Sequence, residues 1–207
     1  MWSTIARRHT SPMRDGLTLY VIRHGETDWN RVARYQGQSD VPLNEHGRAQ
    51  ARRHAKALRS VVAEPGRLAY VSSPLMRARQ TMETLREALG LEAAGYQLEP
   101  RLREVHYGHW EGRLAQELPT VDPEGLAARA LDPNGWRPAG GESYAEMRAR
   151  TDAWLSEVER DTVVVTHGGP SRTLRAALLN LDPAVVLGLE VPQDRLLVLR
   201  PSDHSWV

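Results

Sequence analysis

The chain has no cysteine. That excludes a disulfide frame, a thiolate nucleophile and thiolate–metal sites, and it points to the cytoplasm as the compartment. Lys56 is the only lysine among 27 basic residues. Cationic chemistry therefore rests on arginine, whose planar fork suits phosphate, although genome composition produces the same bias. Neither sign of charge is in excess: the net charge of +1 gives no reason to expect nucleic acid or a membrane surface as partner. No apolar run approaches the ~20 residues of a membrane span. No apolar stretch follows Arg7, Arg8 and Arg14 in the way a signal peptide requires. Repeats are absent, as are GxxxxGK[ST] and GxGxxG, so nucleotide binding of those kinds has no support.

What is present suits one α/β domain. The 207 residues are 41% hydrophobic and 26% charged, enough for a sizeable core in a soluble chain. Residues 1–16 are expected to form a flexible N-terminal extension, with Met13 as an alternative start. Residues 17–207 are expected to form a single domain. Strands are predicted at 17–22, 68–71, 162–166 and 195–199. A helix capped by Asn44 should run to about Ser60. Another should open with Ser73 as N-cap and Pro74 at its first position and run to about Leu89. Further helices should span about 143–158 and 171–179, the latter starting at Pro170. Residues 111–139, with four prolines, read as a partly helical, lid-like excursion. Strands alternating with helices favour a mostly parallel sheet covered on both faces.

Three predicted strands run into residues with phosphate chemistry. The first ends at Arg23-His24-Gly25, the second leads through Ser72-Ser73-Pro74 to Arg77, and the third ends at His167-Gly168-Gly169. Parallel neighbours would bring these groups to one sheet edge, where open α/β sheets bind ligands and where helix N-termini favour anions. Phosphoryl transfer asks mainly for positioning and fixed positive charge. Arg23, Arg77 and a protonated His167 would supply the charge, with Asn30 as a neutral donor. His24 is then left as nucleophile, one ring nitrogen free and the other held by a backbone acceptor. Gly25, Gly168 and Gly169 let backbone turn and approach the ligand. A proton donor for the leaving alkoxide is still required, and a carboxyl group beside a phosphate dianion is pushed toward its neutral form. Glu104 and Glu111, in one segment, both qualify, and spacing does not separate them.

The order of these motifs resembles the histidine phosphatase superfamily, in the branch that contains cofactor-dependent phosphoglycerate mutases, fructose-2,6-bisphosphatase and α-ribazole phosphatase. The stretches that carry the resemblance are 21–30, 36–43, 72–81, Leu102-Arg103-Glu104 with 108–112, 140–143 and 166–169, which cover most of the chain beyond Gly16. The resemblance implies a three-layer α/β/α sandwich and a phosphorylated His24. It makes Arg23, Arg77 and His167 the phosphate pocket, and Asn30, Gln36, Gly37 and Gly168 flanking contacts. It favours Glu104 as proton donor and implies no metal and no organic cofactor. Hydrolysis of a small phosphate ester is expected over mutase activity, because residues 111–139 hold three arginines against five acidic residues and lack the basic insertion usual in mutases. α-Ribazole phosphatase is one specific form this activity could take, and a binding module without turnover is the remote alternative.

Other residues are read as structural. His106 and His109 lack a third ligand at a sensible spacing for a metal. His9, His46, His54 and His204 are expected to be solvated. Trp110 and Trp136 could stack on an organic substrate or simply pack. The cluster Val185–Leu189 followed by Val191 fits either core or a subunit contact that would make a homodimer.

Overall fold

The computed structural model describes residues 12–207; the arginines at 7 and 8 and His9 lie outside them. Along the chain come β1 (Leu19–Arg23), α1 (Asp28–Arg31), α2 (Glu45–Val61), β2 (Ala69–Ser72), α3 (Met76–Ala88) and β3 (Gln97–Leu98). They are followed by α4 (Leu118–Val121), α5 (Pro123–Leu131), α6 (Tyr144–Leu155), β4 (Thr162–Thr166), α7 (Gly168–Leu179), α8 (Pro183–Val186), β5 (Leu197–Arg200) and β6 (Asp203–Trp206).

The strands form one sheet in the order β3-β2-β4-β1-β5-β6. β3, β2, β4 and β1 are parallel, and β5 and β6 add an antiparallel edge. Side chains alternate across a strand, so a strand covered on both faces must be apolar throughout. β4 is buried at all five positions. Leu19, Val21 and Val164 face a core layer with Trp154, Leu155, Leu174 and Leu178 of α6 and α7. Tyr20, Ile22, Val163 and Val165 face the opposite layer with Ala55, Leu58, Ala78, Met82 and Leu85 of α2 and α3. The result is the expected three-layer α/β/α sandwich.

Several local expectations change. α3 starts at Met76, with Leu75 in the N-cap position, not at Ser73-Pro74. Ser73 cannot cap it, because its backbone still extends β2 by donating to the Val165 carbonyl and its hydroxyl is bonded to His167. α7 begins at Gly168, three residues before the predicted Ser171, with His167 in the N-cap position. Pro170 is accommodated because the first-turn N–H groups have no helical partner to lose. α6 stops at Leu155, short of the predicted Val158. α1, β3 and β6 carry no sequence periodicity and were not predicted. His54 is buried, contrary to expectation, and His204 is half-buried against Arg175. Met13 packs in the core at 3% exposure. Within the excursion, Trp110 is fully buried and its ring centroid lies 4.5 Å from that of Trp136, so these rings pack against each other. Val186 and Val191 are buried while Val185 is exposed.

Gly25 and Gly47 set how closely the loop after β1 approaches the start of α2. A β-carbon on Gly47 would stand 2.2 Å from the Glu26 carbonyl oxygen, and one on Gly25 would stand 2.3 Å from the Gly47 carbonyl oxygen. Gly47→Ala is therefore expected to destabilise the fold by about 1–3 kcal/mol, as overpacking does. Urea denaturation would show it as a lower midpoint with an unchanged slope.

Candidate active site

Register places the reactive groups. β1 and β4 pair with Arg23 opposite Thr166, and β2 and β4 pair with Ser72 opposite Val165. His24 and His167 therefore leave the sheet level with each other, and Ser73 follows one residue behind. His24 N donates to the Thr166 carbonyl at 2.8 Å, continuing the ladder by one residue. The two imidazoles consequently meet, with ring centroids 5.1 Å apart and a tilt of 57°. Both are buried. His24 lines a cleft of about 230 Å³ together with Arg23, Asn30, Gln36, Gly37, Arg77, Glu104 and Gly168, and the His167 ring packs against His24 without lining that cleft.

Each ring is held by one nitrogen. His24 Nδ1 lies 2.7 Å from the Gly25 carbonyl, which fixes it as the N–H donor and leaves Nε2 without a proton. Arg77 Nε donates to that Nε2 at 3.2 Å. His167 Nε2 lies 2.7 Å from the Ser73 hydroxyl, while its Nδ1 is buried without a partner. Arg23 Nη1 donates to the Val191 carbonyl, and its Nε is also buried without a partner. Buried polar atoms are seldom left unsatisfied.

Arg77, fully buried in the first turn of α3, is clamped by backbone: Nη1 donates to Ser39 O at 2.8 Å and Nη2 to Gly37 O at 2.7 Å. Burial lowers its pKa to about 10, against the pull of Glu104, Asp40 and Glu111, so it stays cationic near neutrality. Burial and then the Arg77 and Arg23 charges push the His24 imidazole well below its ordinary range. Burial, Arg77 and His24 do the same to His167. Enclosure thus opposes a proton on His167, which the sequence analysis expects to be protonated beside a phosphoryl group. As a neutral ring it can still donate through Nδ1 if Ser73 donates to Nε2.

The flanking residues divide by task. Asn30 Oδ1 accepts from Thr27 N at 3.0 Å and from Gln193 Nε2 at 3.3 Å, which leaves its Nδ2 as a free donor. Gln36 accepts from the Thr27 hydroxyl. Gly37 has a φ of 49°, and a β-carbon there would stand 2.0 Å from Glu111 Oε1. Glu111 itself is spent on backbone: it accepts from Gln38 N, Tyr107 N and the Ser39 hydroxyl, and it does not line the cleft. Glu104 does. Its Oε1 accepts from Val105 N and from Gly169 N at the start of α7, and its Oε2 faces Gly168. Position separates two carboxylates that spacing left alike: Glu104 lines the cleft and Glu111 does not. His106 and His109 point to different partners, the Gly108 N–H and Asp122. Among the described residues no cluster of His, Asp and Glu is arranged for a metal.

Several residues at the site were missed, among them Arg34, Tyr35 and Tyr107 of the cleft wall. Arg172 lines the cleft one helical turn beyond Gly168, and its i,i+4 spacing on α7 could have revealed it. Gln193 donates to the His24 carbonyl at 2.9 Å, and its own carbonyl faces the buried His54 Nε2 at 3.0 Å. It lies in a loop, and nothing in the sequence marks it.

A mostly parallel sheet whose edge gathers His24, His167, Arg23 and Arg77 points to a phosphate-handling α/β protein. The chain belongs to the histidine phosphatase superfamily (branch 1), whose profile matches residues 19–207. It is 36% identical to a glucosyl-3-phosphoglycerate phosphatase of Mycobacterium tuberculosis, over 80% of this chain and 77% of that protein. It is also 36% identical to a probable phosphoglycerate mutase of Photorhabdus laumondii, over 92% and 84%. Among solved structures, a mycobacterial glucosyl-3-phosphoglycerate phosphatase in complex with VO3 superposes with a TM-score of 0.75 at 35% identity, over 92% of this chain and 96% of that one.

Three buried histidines, His24, His54 and His167, have pKa values depressed by burial. The unfolded chain therefore takes up protons below about pH 6.5 that the folded chain refuses. Stability should be fully present above that pH and fall as pH drops below it, by up to about 1.4 kcal/mol per pH unit for each such residue. Urea titrations between pH 7.5 and 5 check this, and His54→Asn should flatten the slope.

Proposed function

We propose that the chain hydrolyses a small phosphate monoester through a phosphohistidine on His24. The observation that carries the reading is that His24 lines one cleft with Arg23 and Arg77 while its ring packs 5.1 Å from that of His167, and that Arg23 Nε and His167 Nδ1 are buried without a partner among the described residues. His24, neutral and with Nε2 unprotonated, gives up the hydrogen bond from Arg77 Nε and attacks phosphorus with that lone pair. The equatorial oxygens are received by Arg23, Arg77, His167 Nδ1 and Asn30 Nδ2, with Gln36, Gly37 and Gly168 shaping the wall. Glu104, protonated, gives its proton to the leaving alkoxide and then takes one from the water that cleaves the phosphohistidine. The dianion raises the proton affinity of both imidazoles and stabilises His167 as a cation at that stage. Residues 111–139 form the lid over this cleft in the same reading. The cytoplasm is the proposed compartment.

Hydrolysis is supported by the names of relatives and solved structures that are phosphatases. Mutase activity is the second reading, supported by the relatives named as probable phosphoglycerate mutases. The acidic residues of 111–139 do not argue against it as expected, because Glu111, Glu117, Asp122 and Asp132 bond nearby backbone N–H groups instead of lining the cleft. Incubation with 3-phosphoglycerate, with and without a 2,3-bisphosphoglycerate primer, separates the readings: free phosphate supports hydrolysis and the 2-isomer supports mutation.

Rapid quenching with a 32P-labelled monoester should trap acid-labile label on His24, and His24→Ala should abolish both label and turnover. Glu104→Gln should slow turnover by about 10²–10⁴ for alkyl esters, as for a lost general acid. The loss should be smallest for p-nitrophenyl phosphate, whose leaving group needs no proton. Equal losses across leaving groups would show that Glu104 is not the donor.

A further inference from the structure

The mechanism leaves two cations of the cleft, Arg34 and Arg172, without a task, and Arg34 is already held on the Gly112 carbonyl. Arg172 sits one turn after Gly168 on α7, and its Nε donates to the Leu189 carbonyl at 2.7 Å. Among the described residues nothing accepts from its two terminal nitrogens. Nη1 lies 3.2 Å from the position a β-carbon would take on Gly168, and Glu104 Oε2 lies 3.7 Å from the same position. The guanidinium and the carboxyl group thus flank one glycine without pairing. By contrast, Arg77 is tied through all three nitrogens beside His24, and Arg23 is anchored on Val191.

We propose that Arg172 is a specificity-determining residue that receives a carboxylate carried by the substrate next to its ester oxygen. The inference rests on the phosphomonoesterase reading. There, Glu104 touches the leaving oxygen, so a group bracketed with Glu104 by Gly168 addresses the alcohol part of the substrate and not the phosphoryl oxygens. Charge agrees. Four guanidinium groups, of Arg23, Arg34, Arg77 and Arg172, line the cleft against one carboxyl group, that of Glu104. A phosphoryl dianion offsets only part of that surplus, and a carboxylate on the substrate would offset more of it. Shape agrees as well, because a guanidinium held at Nε presents its remaining N–H groups as a fork that fits a planar carboxylate.

The test compares 2-phosphoglycerate with glycerol 2-phosphate, which differ by a carboxylate in place of a hydroxymethyl group on the ester carbon. The native enzyme should favour the acid in kcat/KM by roughly 10- to 100-fold, the range of a hydrogen bond to a charged group. In Arg172→Gln that ratio should fall to about threefold or less, mainly through a raised KM for the acid, and Arg172→Lys should restore part of it. A native enzyme that treats the pair alike, or a preference unchanged in Arg172→Gln, overturns the assignment. So does a preference for fructose 1,6-bisphosphate over fructose 6-phosphate that depends on Arg172 while the carboxylate pair is treated alike, since the second anion would then be a phosphate. Hydrolysis of p-nitrophenyl phosphate with label on His24 is measured alongside. Its absence would strike at the phosphomonoesterase reading itself, whereas its presence confines any failure to Arg172.

Discussion

The site depends on the register of three parallel strands. Because Arg23 pairs with Thr166 and Ser72 with Val165, His24 and His167 emerge side by side with Ser73 one residue behind, and one further ladder bond from His24 N to the Thr166 carbonyl locks the first histidine to the strand that delivers the second. A slip of one residue would turn His24 or His167 to the other face of the sheet. The buried alternation on β1 and β4 prevents it, since a slip would also carry Leu19, Val21 and Val164 out of one core layer and into the other.

Burial then sets the chemistry. Enclosure and the neighbouring arginines disfavour a proton on either imidazole. The neutral form is what a nucleophile needs, and backbone carbonyls supply the rest: Gly25 O selects the His24 tautomer, while Gly37 O and Ser39 O aim Arg77. Gly37 is tied to this arrangement twice, by its carbonyl and by the Glu111 carboxylate that fills the place of a side chain. Glu111 thereby serves the architecture and Glu104 the cleft. The identical functional group does different work according to which backbone it meets.

Much of this was legible before the structure. The apolar runs of β1 and β4 and the Asn44 cap were visible because local pattern and tertiary role agree. The convergence of His24, Arg77 and His167 was legible because strand ends in a parallel sheet share an edge. What escaped lacked a local signal. β3 is two residues long, and β6 lies on the sheet edge with alternating exposure. Ser73 had the sequence of a cap but was claimed by His167, a contact 94 residues away. His54 looked like a surface residue on a basic helix, yet it closes on Gln193 from a distant loop. The charge state of His167 depends on enclosure by several elements, which sequence does not express.

The central claim is that one phosphate-like anion touches both imidazoles at once. Histidine 15N NMR during titration with orthovanadate tests it directly. The account predicts that the ring signals of His24 and His167 shift together along one binding curve, with the His167 ring gaining protonation on saturation, while His46 and His106 stay unmoved. A response from only one of the two central rings, or two curves with separate midpoints, would contradict it.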